Sequence, residues 1–190
     1  MSKSKKRILR SSQELFGQNG YHKTTLADIA RSVGKVKTAI YYYFSGKEEI
    51  FAELVKLEAQ EFYEQIETAI SSVNLPIEKL EIYIESRIQL MTKISKRYHF
   101  LKKEFFELMP IVEENREEYY QKEIGLIESV LELGIKEQAF KVVNPKFSAT
   151  MLVNTMKGLE VQMFVTDKIL VDGLDIPAFR DYILYGLIKK

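Results

Sequence analysis

Along most of this 190-residue chain apolar side chains recur three and four positions apart, and no run of six or more residues alternates as a strand would. That periodicity confines the chain to helices packed on helices. The four prolines, at 76, 110, 145 and 177, each stand where one helical pattern stops and another starts, a place that a residue without an amide hydrogen tolerates. The pattern predicts an all-α fold of about nine helices. A first helix over about 5–18 carries Ile8, Ser12, Leu15 and Phe16 on one face, and Asn19-Gly20 offers it a left-handed stop. Thr25 opens a second, with Asp28 three residues on to complete a capping box, and Val33-Gly34 closes it. A third covers about 37–44, and Ser45 caps a long fourth that reaches about Ser71. Past Pro76, the residues Leu80, Tyr83, Ile84, Arg87, Ile88 and Met91 trace one stripe. A short helix over about 97–109 is expected to end or break at Pro110, and a longer one to run over about 112–136. The last two are expected near 146–166 and 176–188.

The net charge of +1 hides an uneven distribution. Residues 1–47 hold ten Lys or Arg against two acids, Glu14 and Asp28, a net of +8 that leaves −7 for the remainder. A basic head on an acidic body suggests that the head meets a polyanion and the body does not. With 46% apolar and 29% charged residues the chain has the composition of a globular protein rather than a disordered one. Cysteine is absent, which excludes disulfide frameworks and thiolate zinc sites. No apolar run approaches the ~18 residues of a membrane span, and no apolar stretch follows the basic start as in a signal peptide. The expected location is the cytoplasm, with no membrane partner.

Within the basic head, two short helices, Thr25–Val33 and Lys37–Phe44, flank a tight break at Gly34-Lys35-Val36. A helix-turn-helix has this layout: one helix braces across a nucleic-acid backbone and the next enters the major groove. Gly34 permits the sharp turn, Ala30 is small where the helices approach, and Ile29, Val33 and Ile40 are apolar where the pair packs on the first helix.

The residues of this region resemble those of the tetracycline-repressor (TetR) family. The resemblance runs through Ile8-Leu9, Leu15-Phe16, Gly20, Thr24-Thr25-Leu26, Ile29-Ala30, Gly34, Ile40-Tyr41-Tyr42, Phe44, Lys47-Glu48 and Ile50-Phe51. It implies a three-helix DNA-binding domain over 1–47 and a helical effector-binding and dimerisation domain over 48–190. It further implies a homodimer that binds a palindromic operator in double-stranded DNA, in most such proteins as a repressor, and releases it when a small-molecule effector enters the body. By the same resemblance Thr25 holds a phosphate at the start of the bracing helix, and Lys37, Thr38 and Ala39 face the bases. Tyr41, Tyr42 and Tyr43 then meet bases or phosphate, with Phe44 turned to the core, and Lys47 clamps a phosphate. Three positions depart from the family's habit: Val36 stands where Ser or Thr often caps, Tyr43 where His is usual, and Lys35 where an apolar residue is common.

In the body, the aromatic and Met-rich helices suggest a pocket for an effector, since such sites are largely apolar with a few polar anchors. Candidates are Arg87, Met91, Phe105, Met109, Tyr120, Met151 and Asn154. Arg87 is the sharpest of them: on an apolar stripe its charge demands a partner, which is either an ion pair of the fold or an anionic effector. The helix near 146–166 is apolar on two faces, and the last helix carries a matching stripe. Leu152, Met156, Leu159, Met163, Phe179, Ile183 and Leu187 are therefore expected to face a second copy.

Nothing in the chain suggests an enzyme, a cofactor or a metal. The two histidines, His22 and His99, are far apart, and no Gly-rich phosphate loop, GxSxG or metal-ligand spacing occurs. Adjacent glutamates such as Glu113-Glu114 diverge on a helix and read as solvated faces. A helical adaptor is the competing class, and activation competes with repression; an adaptor leaves the +8 head unexplained.

Overall fold

The computed structural model describes residues 2–165 and 175–185. Among these there are eight α-helices, one 3-10 helix and no strand. The helices are α1 (Lys3–Asn19), α2 (Leu26–Ser32), α3 (Lys37–Ile40), α4 (Lys47–Ser71), α5 (Pro76–Arg97), α6 (Phe105–Lys136), α7 (Pro145–Val165) and α8 (Ile176–Tyr185), with the 3-10 helix His99–Glu104 before α6. The all-α expectation holds. The chain forms two compact units, residues 1–59 with 95–117 and residues 60–94 with 118–190.

In the first unit the local chemistry works as the sequence suggests. Gly20 ends α1 with φ +84°, donating its amide to Phe16, and Gly34 turns the chain after α2 with φ +67°. The capping box is complete: the Asp28 amide donates to Thr25 Oγ1, and the Thr25 amide donates to the Asp28 carboxylate. Hydrogen bonds donated to the Asp28 carboxylate by the Thr25 hydroxyl and by the Thr25 amide hold that carboxyl below its usual value. Ile8, Leu9, Phe16, Ile29, Ile40 and Phe44 are buried together with Ile50, Phe51 and Leu54 of α4. The rings of Phe16, Tyr21 and Phe51 stand 5.2–5.6 Å apart, tilted or edge to face.

The second unit has one core, to which α4 gives Phe62, Ile66 and Ile70, α5 gives Leu80 to Met91, α6 gives Ile124 to Leu131, and α7 gives Leu152 and Met156. At its centre lies Arg87, 1% exposed. Its Nε donates to Glu123 over 2.7 Å, its Nη1 pairs with Glu160, and its guanidinium lies 5.4 Å from the Phe62 ring. Tyr83 donates its hydroxyl to the same Glu123 oxygen over 2.8 Å. Of the two readings of Arg87, the geometry is that of an ion pair of the fold.

Three expectations about the elements need correction. The third helix ends at Ile40 rather than Phe44, and residues 41–43 form a turn. Val36 stands at its N-cap with no side-chain hydrogen bond, so a single helical turn forms. Pro110 does not stop a helix but lies inside α6. A proline there removes one amide bond to the carbonyl four residues back, that of Phe106, and the helix continues past it. Finally, Leu152, Met156 and Met163, expected to face a second copy, are 6%, 2% and 1% exposed in the core of their own chain. Leu159, Phe179 and Ile183 are half-buried against the same core, and Leu187 lies outside the described residues. The outward residues of α7 and α8 are instead Phe147, Met151, Val165 and Tyr182.

Candidate nucleic-acid interface

The surface that follows Gly34 is unusual for its exposed apolar and aromatic area. Val36 is 69% exposed, Tyr41 49% and Tyr42 84%, while Ile40 and Phe44 between and behind them are fully buried. Large side chains left in water on a small domain mark a contact surface. Lys37 and Thr38 are exposed, Ala39 and Tyr43 half-buried. The Lys37 ammonium lies 6.0 Å from the centre of the Tyr41 ring, and the Tyr42 and Tyr43 rings meet edge to face at 5.0 Å. The structure thus brings Lys37 together with Tyr41, and Tyr42 with Tyr43. Phe44 is a core residue, as expected.

Thr25 is exposed, but its polar atoms have work inside the chain. Its hydroxyl donates to Asp28 over 2.6 Å, and its amide donates to the same carboxylate over 3.1 Å. Lys47 is placed differently from expectation. Its ammonium donates to the carbonyl of Tyr21 over 2.8 Å and to that of His22 over 3.4 Å, and lies 4.2 Å from the centre of the Tyr21 ring. Burial holds it below the usual lysine value. It braces the link between α1 and α2 rather than standing free for a phosphate.

Sequence reasoning missed the other half of that brace. Glu104, at the end of the 3-10 helix, accepts the amides of Tyr21 over 2.6 Å and His22 over 3.0 Å. Its neighbour Glu107 meets His22 Nε2 at 2.9 Å. Tyr21 and His22 therefore have their amides held by one charged side chain and their carbonyls by another. Nearby, Glu58 of α4 accepts from Gln13, Arg97 and Tyr98 over 2.6–2.9 Å, and burial pushes its carboxyl up. No local signal marks these residues, because their partners lie 39 to 85 positions away.

The residues proposed from the sequence as an effector pocket are scattered. Phe105 and Met109 belong to the first unit and the other five to the second. Arg87 and Met91 are buried, Tyr120 donates to Asn154 over 2.9 Å, and Met151 faces outward. A groove of about 650 Å³ between α4 and α5 is lined by Glu64, Gln65, Gln89 and Lys93 among others, and includes none of the seven.

A capped helix, a glycine turn and a one-turn helix with exposed tyrosines define a helix-turn-helix domain. Residues 8–54 match the family model described as bacterial regulatory proteins, tetR family. It is 32% identical over 84 residues to the fatty acid metabolism regulator protein of Bacillus subtilis, covering 44% of this chain and 43% of that one. It is 42% identical over 52 residues to IcaR, the negative transcriptional regulator of the icaADBC biofilm operon in Staphylococcus aureus, covering 27% and 28%. The chain thus spans less than half the length of the curated relatives it matches. In structure it resembles a transcriptional regulator from Cytophaga hutchinsonii with a TM-score of 0.82 at 23% identity, over 99% of this chain and 100% of that one. That likeness extends the fold across both units.

Proposed function

We propose that this chain is a sequence-specific DNA-binding transcriptional regulator, a repressor that leaves a palindromic operator when a small-molecule effector binds. The exposed face from Val36 to Tyr43, which includes Lys37 and follows Lys35, supports this reading most directly. Residues 1–47 carry the DNA contacts, residues 48–190 sense the effector and pair two copies, and the protein works in the cytoplasm beside its DNA. The outward row Phe147, Met151 and Val165 on α7, with Tyr182 on α8, is the surface for the second copy. Selection of bound sequences from random duplex DNA tests the whole reading. Two inverted half-sites are expected, about 34–36 Å apart between centres. A single half-site would remove the dimer, and no enriched sequence would remove the operator.

Lys37 contacts base edges and Tyr42 the backbone, so their losses read differently. Lys37→Ala is expected to relax preference at one or two base pairs, each by about 1–3 kcal/mol. Equal loss on every sequence would make Lys37 a phosphate contact. Lys47→Ala is expected to lower DNA affinity and the melting temperature together while the salt dependence of binding stays unchanged. A slope flatter by about one unit would restore Lys47 to the phosphate.

Arg87 as an anchor for an anionic effector finds no support in the geometry, since Glu123 and Glu160 already take its donors. An effector site in the second unit is better sought among the half-buried and exposed candidates Tyr120, Asn154 and Met151. Protection of these residues from chemical labelling by an inducing compound would support that placement, and unchanged labelling would oppose it.

A further inference from the structure

The first two and a half turns of α1 carry Lys3, Lys6, Arg7 and Arg10, spaced so that all four fall within about 100° of the helix circumference. They face away from the buried residues Ile8, Leu9 and Ser12, and all four are exposed. None of them makes an ion pair among the described residues, and the stripe meets its first acid only at Glu14. Like charges three and four positions apart repel one another on a helix, so such a row is unfavourable unless something anionic meets it. Lys5, between them, turns the other way: it pairs with Glu53 at 3.0 Å and lies 5.1 Å from the centre of the Phe44 ring. Ser11, one turn beyond Arg7 on the same flank, is hydrogen-bonded to Ser32 at the end of α2. The Ser11 contact sets one flank of the basic row beside the end of α2, while Lys5 holds the opposite side of α1 against Glu53 and Phe44. Residues 3–7 also precede the segment that matches the family model.

We infer that Lys3, Lys6, Arg7 and Arg10 form a second DNA contact, which holds backbone phosphates of duplex flanking the base pairs that Lys37 to Tyr43 read. The inference rests on the DNA-binding reading above. Phosphate contacts of this kind add affinity and salt dependence but no sequence preference. The test is the combined variant Lys6→Gln, Arg7→Gln and Arg10→Gln, titrated at several salt concentrations. Its probe is the duplex recovered by selection, either trimmed to the enriched base pairs or extended by one helical turn on each side. The unaltered protein should bind the extended duplex more tightly. The variant should lose that advantage, keep the same enriched sequence, and show a salt slope flatter by about 2–3 units for each bound protomer. Neutralising three exposed lysines of the second unit, Lys136, Lys141 and Lys146, removes equal charge and should leave the slope alone. Equal flattening by both triple variants would overturn the contact in favour of net charge. An unchanged slope and flank advantage would overturn it while leaving the DNA-binding reading intact. Failure of the unaltered protein to bind any duplex would end both.

Discussion

An Arg87→Met variant is expected to lose about 3–5 kcal/mol of unfolding free energy, the largest loss foreseen for any single change in this chain. Methionine fills much of the same space beside Phe62 but supplies no charge. Glu123 and Glu160, 6% and 4% exposed, would keep their carboxylates in the core without the guanidinium that now meets both. Desolvation makes a buried charge far more costly when its counter-charge is removed than when the pair is absent altogether. The double variant Arg87→Met with Glu123→Gln should therefore be more stable than Arg87→Met alone, because one stranded charge has gone and the amide can still accept from Tyr83. Urea denaturation of the three proteins side by side measures this. A deficit below about 1 kcal/mol for the single variant would mean that the cluster is reached by water.

Gly134→Ala is expected to cost about 1–3 kcal/mol or more, although alanine is the better helix former by nearly 1 kcal/mol. A methyl group at 134 would overlap the Phe140 ring, lying 2.6 Å from its Cγ. The ring cannot easily withdraw. Phe140 is 4% exposed, and its amide and that of Ala139 both donate to the Gly134 carbonyl, at 3.1 and 2.8 Å. The turn is closed further by Gln138 in the left-handed region at φ +59°. Trimming the ring with Phe140→Leu in the Gly134→Ala background should recover part of the loss. Thermal melts in which Gly134→Ala matches the unaltered protein would show that the turn can shift.

What could be read from the sequence was what is decided within a few residues. Asn19-Gly20, the Thr25–Asp28 capping box and Gly34 act through their own backbone, so their chemistry is the same in any fold. Val36 acts locally too, but the pattern that predicts a helix to Phe44 overrates a start without a cap, and the helix ends after one turn. Two of the failures involve partners distant in sequence. Lys47 looks like a free cation beside a helix start until Tyr21 and His22 arrive beneath it. The apolar wealth of α7 reads equally as core or as interface, and its own chain fills the face that looked made for a partner. Pro110 looks like a stop because the local rule weighs the one hydrogen bond that a proline removes and not the rest of the helix around it. Arg87 was the best case of partial legibility. Its place on an apolar stripe announced a buried partner, and only the fold could say that two glutamates filled the role.

The grip of Glu104 on the amides of Tyr21 and His22 bears on how this protein can be taken apart. The first unit is assembled from residues 1–59 and from 95–117, so the support of the Val36–Tyr43 face is not encoded by one continuous stretch. A hybrid made by joining residues 1–47 to a foreign body would carry every residue proposed to face DNA yet leave the link before α2 without its clasp. Gly17 makes the same demand sterically, since even a methyl group there would press to 2.8 Å on the carbonyl of Arg97. Any graft that keeps the specificity of this head must bring the Arg97–Glu107 segment with it, or redesign the surface of α1 to do without.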